Sequence, residues 1–432
     1  MRRITIAISM ALWASGGAWA QTPEKPVRLV LQITVDQLRG DLIDRYAAGY
    51  GEGGFRRLLD EGAFYVDAHH RHANTETVVG HTTLATGTDP AVHGMIANVW
   101  LDRATGELVY NVEDADYPLL GEGGGVDTGT EVDPTQKLAT TQGRSPRSIR
   151  TSTIGDEIAL SIGPQARVFG VSVKDRGAIT LAGHAGKAYW FSKSAGGMVT
   201  STFYMDDYPD WVDAWNAKGV PASYGGKSWE LLAEPDTYLF GDADDQAWET
   251  DFPGYGRTFP HPWGEAESPY FTTLLTFSPA GDEIVLDFAK DLIAAEKLGQ
   301  DDVTDYLSFS FSSTDYVGHL FGPSSLEAED NLHRLDRTLA KLFAFVDKTV
   351  GLDRTLIVLS ADHGASEAPG YLNSLGIGGS YFNFDEVDKT EGIAALKAEF
   401  GVAGELIDQF YQPYFYLNRE AIAERGLDFA TV

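Results

Sequence analysis

Four short apolar runs, each ended abruptly by residues that carry charge, restrict this chain to one kind of architecture. They cover 27–35 (VRLVLQITV), 167–173 (RVFGVSV), 306–311 (YLSFSF) and 355–359 (TLIVL). Near-continuous apolar runs of this length are strands buried on both faces, the condition of parallel sheets covered by helices on each side. Helical patterns lie around them. One covers 54–61, another 392–400, and a long one runs from the candidate N-cap Ser325 to about Thr349. Its Leu332, Leu335, Leu339, Leu342 and Val346 recur at helical spacing, and Gly351 lies beyond its end. The sequence therefore predicts an α/β fold: a doubly wound, mostly parallel sheet with helices on both faces. Two stretches break the pattern: 117–145, rich in Gly and Thr, and 184–302, rich in aromatic residues, Pro and Asp. The second reads as an inserted cap region. That gives core residues 21–183, a cap at 184–302, and the second part of the core at 303–432.

In open α/β sheets ligands bind outside the carboxyl ends of the strands. Here those ends carry Asp36 after Val35, Lys174 and Arg176 after Val173, Asp315 and His319 after Phe311, and Asp362 with His363 after Leu359. Residues far apart in sequence would thus converge. Asp315 and His319 stand one helical turn apart, and carboxylates and imidazoles are ordinary ligands for a divalent ion. Five such groups exceed what one catalytic ion takes, which points to a two-metal site. Such a site needs a nucleophile. Thr77 precedes the helix-like run TTLATG, where the positive end of a helix dipole suits an oxygen that must ionise and then carry phosphate; the alternative is that Thr77 only caps the helix.

Composition removes other classes. The chain has no cysteine, which excludes disulfide frameworks, thiolate metal sites and cysteine nucleophiles. Its net charge of −30 opposes general affinity for nucleic acid. The opening 1–20, with Arg2, Arg3, an apolar run from Ile4 and Ala18 and Ala20 flanking Trp19, reads as a secretory signal peptide cleaved after Ala20. A periplasmic protein without a membrane span is expected.

The ordered set Asp36, Thr77-x-x-Gly80-His81, Pro90-x-x-His93-Gly94 with Asn98, Lys174-x-Arg176, Asp315-x-x-x-His319 and Asp362-His363 resembles the alkaline phosphatase superfamily. More narrowly, it is similar to bacterial periplasmic alkaline phosphatases with a threonine nucleophile. The resemblance implies two Zn2+ ions, one surrounded by Asp36, Thr77, Asp362 and His363, the other held by Asp315 and His319. It also implies that Asn98, Lys174 and Arg176 bind phosphoryl oxygens, which favours small phosphate monoesters as substrates. The family's second zinc takes a further histidine near the C-terminus, but the histidines here end at His363. Either an acid such as Asp385 or Glu405 substitutes, or that metal is bound weakly, or the chain is a C-terminally truncated form, the favoured reading.

His69, His70 and His72 fall on an apparent strand with alternating faces and read as non-ligands. His81 and His93 read as structural. His184, His261 and His333 read as ordinary surface or loop histidines. Trp211, Trp215, Trp229 and Trp263 fit cap packing and substrate stacking equally well. The competing functions are a phosphodiesterase or phosphonate hydrolase that shares the metals without needing Lys174 and Arg176, and a non-catalytic metal- or phosphate-binding protein. A sulfatase, which oxidises Cys or Ser at the nucleophile position, does not fit Thr77.

Overall fold

The computed structural model describes residues 25–121 and 123–432; the expected signal peptide lies outside them. A six-stranded sheet organises the chain in the order Thr355–Ser360, Leu29–Val35, Asp305–Phe311, Val168–Ser172, Lys187–Ser192 and Gly197–Val199. Its first five strands are parallel and the last pairs antiparallel. Each of the four apolar runs forms a strand of this sheet, but only three are buried on both faces as expected: Thr355–Ser360 is an edge strand and leaves Leu356 and Val358 exposed.

The strand Lys187–Ser192 shows how the two faces are built. Tyr189 and Phe191 enter one hydrophobic cluster with the long helices Pro279–Ala295 and Leu326–Thr349; Ala188 and Trp190 enter a second with the helices Thr77–Thr86 and Asp175–Ala182. Alternation along a strand puts successive side chains on opposite faces, so helices cover both. Leu326–Thr349 forms where its periodicity predicts. The Ser325 side chain accepts from the Ala328 N–H at 3.1 Å, meeting one of the four orphan donors of a helix start.

The stretch expected as an inserted cap is woven into this core. Its first part supplies Lys187–Ser192 and Gly197–Val199 to the sheet, and its last part supplies Pro279–Ala295. Four of its six tryptophans donate the indole N–H internally: Trp211 to Glu296, Trp215 to Asp287, Trp229 to Asp330 and Trp263 to Ser278. These rings pack the segment onto the sheet, which decides against substrate stacking.

Two expectations are corrected. Residues 64–74 form turns and bends instead of a strand, because Tyr65 and Val66, 80% and 85% exposed, find no sheet edge to pair with. His261 and His333 are buried, not surface residues: His333 Nε2 lies 3.1 Å from the Tyr46 carbonyl, and His261 Nε2 lies 3.2 Å from Glu327 Oε1. His184 is partly exposed and pairs with Asp156 at 2.9 Å.

Glu327, beside His261, and Glu249 are buried, and among the described residues Glu327 Oε2 and Glu249 Oε1 have no donor. Burial, reinforced by Glu327, pushes the Glu249 carboxyl up to about 9. A carboxyl harder to ionise when folded costs stability as pH rises above its unfolded value of 4.5 and toward 9. Glu249→Gln should therefore raise the melting temperature by a few degrees at pH 8 and leave it unchanged near pH 4 in differential scanning calorimetry, with the gain growing across that interval.

Candidate active site

The parallel register aligns the strand ends. Thr34 stands opposite Ser360 on one side and Ser310 on the other, and Ser310 opposite Ser172, so small hydroxyl residues form one row across the sheet. The residues just beyond that row carry the chemistry. Asp36 leaves the first strand, and Gln37 then adopts a left-handed backbone with φ 65°. This turn aims its N–H at Asp362 Oδ1, 3.0 Å away, and its side-chain amide at Asp315 Oδ1, 2.7 Å away. A non-glycine residue at positive φ is costly and persists only where its surroundings enforce it. Gln37, whose bonds tie two strand ends together, has that enforcement. A Cβ at Gly318, on the helix Ser313–Phe321, would overlap the Gln37 side chain.

Thr77 is the first residue of the helix Thr77–Thr86, preceded by extended Glu76. Among the described residues its hydroxyl makes no hydrogen bond. The motif around it has a packing explanation: a Cβ at Gly80 would overlap the Asp362 carbonyl oxygen, so only glycine lets this helix rest on the Asp362 backbone. One turn on, His81 Nδ1 lies 2.8 Å from Asp362 Oδ2 and 2.9 Å from the Thr77 carbonyl, and its Nε2 2.7 Å from Ser310 Oγ. Asn98 caps the same helix, its Oδ1 accepting from the Val78 N–H at 3.0 Å. That bond assigns the amide orientation and leaves the Asn98 NH2 free to donate.

Asp36, Asp315, Asp362 and His363 come together. Two overlapping groups have ligand atoms within 4.8 Å of one another: Asp36, His81 and Asp362, and Asp36, Asp315 and His363. His363 Nε2 lies 3.3 Å from Asp36, 3.6 Å from Asp362 and 3.9 Å from Asp315. Lys174 Nζ spans Asp36 at 2.8 Å and Asp315 at 2.5 Å, which leaves one of its three protons for another acceptor. His319 pairs with Asp315 at 3.2 Å, its side chain 69% exposed, and belongs to neither group.

Burial alone would raise these carboxyls. For Asp315 burial is the largest influence, but Lys174 and His319 together outweigh it; for Asp362, His363 and His81 together do; both stay below the ordinary carboxylate range. Asp36 is raised by burial and by Asp362, yet Lys174 and His363 hold it down as well. Burial works against an imidazolium at His363, but Asp362, Asp36 and Asp315 push it up to about 10. One Nδ1–H of His81 cannot serve two acceptors, so Asp362 Oδ2, like Asp36 Oδ1, is buried without a donor. Clustered carboxylates and imidazoles with orphaned oxygens are a donor set that fits divalent cations.

Arg176, two residues beyond Lys174, is buried as well. Its Nη1 is 3.0 Å from Asp133 Oδ2 and 3.3 Å from the Tyr110 hydroxyl, while its buried Nε has no partner. Of the acids expected to replace a missing histidine, Glu405 is exposed and joins neither group; the side chain of Asp385 lies outside the described residues. His70 Nε2 reaches the Ala361 carbonyl and His72 Nδ1 that of Asn74, so neither enters the cluster. Gln37, Ser310 and Asp133 were missed from the sequence. Only Gln37, next to a strand-end Asp, carried a local signal.

The type I phosphodiesterase / nucleotide pyrophosphatase family model matches residues 30–421. The chain is 38% identical over 362 residues to the alkaline phosphatase PhoV of Synechococcus elongatus, covering 83% of this chain and 62% of PhoV. It is 35% identical over 405 residues to the alkaline phosphatase PafA of Elizabethkingia meningoseptica, covering 93% of this chain and 71% of PafA. The crystal structure of wild-type PafA superposes with a TM-score of 0.81 at 33% identity, over 94% of this chain and 75% of that one.

In an exposed helix Gly→Ala stabilises by up to about 1 kcal/mol. Gly80→Ala should do the reverse, since the new methyl must push the helix off Asp362. Thermal denaturation should show a lower melting temperature, and chelator competition should show divalent-cation affinity weakened by roughly 10- to 100-fold.

Proposed function

Because the chain belongs to the type I phosphodiesterase / nucleotide pyrophosphatase family of the alkaline phosphatase superfamily, we propose that it is a phosphatase that hydrolyses small phosphate monoesters through a phosphothreonine at Thr77. The observation that carries this is the docking of the Thr77 helix onto Asp362 by Gly80 and His81, which fixes a free hydroxyl at a helix N-terminus beside the carboxylate cluster. Asp36, Asp362 and Thr77 would hold one zinc ion and Asp315 and His319 a second, with His363 within reach of carboxylates of both sets. Bound there, divalent ions lower the pKa of an adjacent hydroxyl and neutralise charge on the transferring phosphoryl group.

The chain's own residues do the rest. Thr77 Oγ gives up its proton and attacks phosphorus in line; the ester oxygen departs and takes a proton from solvent, leaving phosphothreonine. Water then attacks the same phosphorus, releasing inorganic phosphate and restoring the hydroxyl. Phosphoryl oxygens would accept from the free Asn98 NH2, the remaining Lys174 proton and the unpartnered Arg176 Nε. Donors held in place before the reaction stabilise charge as it develops. Two cationic donors suit a phosphate dianion. A diester carries a second ester group where an oxygen would otherwise face them, which supports the monoester reading over the diesterase one. The signal-peptide pattern read in residues 1–20 supports a proposal of export to the periplasm.

Thr77→Ala should abolish phosphoenzyme formation; labelled phosphate trapped on that variant in an acid quench would refute the assignment. Joint replacement of Lys174 and Arg176 by Ala should lower kcat/KM for an aryl phosphate monoester by at least about 100-fold, and that for its methyl diester far less. Equal losses would favour the diesterase reading.

A further inference from the structure

We propose that Asp133 is a positioning residue that aims the Arg176 guanidinium, and that this is the role of the Gly- and Thr-rich stretch at 117–145. The inference rests on Arg176 binding phosphoryl oxygens. Both side chains are 5% exposed or less, and Asp133 Oδ2 meets Arg176 Nη1 at 3.0 Å. The other oxygen is fixed by its own turn: Asp133 Oδ1 accepts from the Thr135 N–H at 2.9 Å, the Thr135 hydroxyl at 2.6 Å and the Gln136 N–H at 3.3 Å. The carboxylate therefore cannot follow the arginine; the arginine must come to it.

The rest of the segment is built to hold that turn. Two residues earlier, Glu131 Oε1 accepts from the Val132 and Asp133 N–H groups, both at 2.9 Å, and from Lys193 Nζ at 2.5 Å. Lys193 itself lies 5.3 Å from the centre of the Tyr316 ring, which Lys174 also faces at 4.7 Å. A second arm clamps the same nitrogen of Arg176. The Tyr110 hydroxyl, 3.3 Å from Nη1, donates to Asp175 Oδ1 at 2.6 Å, and Asp175 Oδ2 accepts from Arg144 Nε at 2.7 Å. Held at Nη1 by the Asp133 charge and by a hydrogen bond to the Tyr110 hydroxyl, and unpartnered at Nε among the described residues, the guanidinium keeps a free edge. A fork recognises phosphate only when its plane is set, and misplacement by an ångström is costly.

A carboxylate beside a phosphate-binding arginine has an opposite possible effect: it competes with the substrate's anion. The two roles predict opposite signs. The test measures kcat/KM for an aryl phosphate monoester and its methyl diester on the zinc-loaded full chain, for the unaltered protein, Asp133→Asn, Arg176→Ala and the double variant. Positioning predicts that Asp133→Asn costs roughly 10- to 100-fold on the monoester, under about twofold on the diester, and nothing further once Arg176 is Ala. A gain on the monoester, equal loss on both esters, or an undiminished loss in the Arg176→Ala background would overturn it. If Arg176→Ala itself fails to separate the two esters, the phosphoryl-binding reading of Arg176 falls and this inference with it. That result differs from a selective Arg176→Ala beside a silent Asp133→Asn, which sinks only the inference. Should Asp133→Asn not fold, Asp133→Glu keeps the charge and changes the reach. A monoester-selective loss that needs Arg176 would then support positioning, and activity equal to that of the unaltered protein would overturn it.

Discussion

Three buried carboxylates, Asp36, Asp315 and Asp362, are held within reach of a single imidazole at the edge of the sheet, and the surrounding structure is arranged to tolerate their repulsion. Like charges removed from water repel strongly, and each alone would take up a proton. Here they stay ionised because Lys174 spans two of them and His363 faces all three. Gln37 adds neutral donors at the cost of a left-handed backbone, and the glycines at 80 and 318 let helices close in to the distance at which these bonds form. Parallel register makes the convergence possible, since it brings the ends of strands hundreds of residues apart to one level.

What could be read from the sequence followed the strength of local signals. Near-continuous apolar runs predicted the strands, three of them buried, and the abrupt change at each run's end predicted Asp36, Lys174, Asp315 and Asp362 as neighbours. The long helix was legible because a capping serine and a strict period agree. The strand Lys187–Ser192 escaped because it lies in a stretch whose aromatic and Asp-rich composition hides its apolar run KAYWFS. That omission had a consequence: Lys193 follows this strand as Asp36 follows the first, and the same rule would have placed it near the site. The turn carrying Glu131 and Asp133 had no legible signal at all. Its effect depends on which cations it meets, a property of tertiary placement that no periodicity encodes.

The charges near the site form two layers. Inside, Lys174 and His363 face Asp36, Asp315 and Asp362; outside, Arg176 and Lys193 face Asp133 and Glu131. Four cationic groups thus meet five carboxylates, and every one of the four has an acidic partner. Side chains alone therefore give this region no excess positive charge in a chain of net charge −30. A phosphate dianion would be repelled by the protein as a whole and not attracted on balance by the site. On the proposed reading, Arg176 and Lys174 would act as directional donors that select the shape of a phosphoryl group more than as the source of its binding energy. On that reading the energy would have to come from divalent cations on the inner carboxylates, and affinity for inorganic phosphate would be coupled to metal occupancy by the same acids that make the metal-free site neutral or acidic.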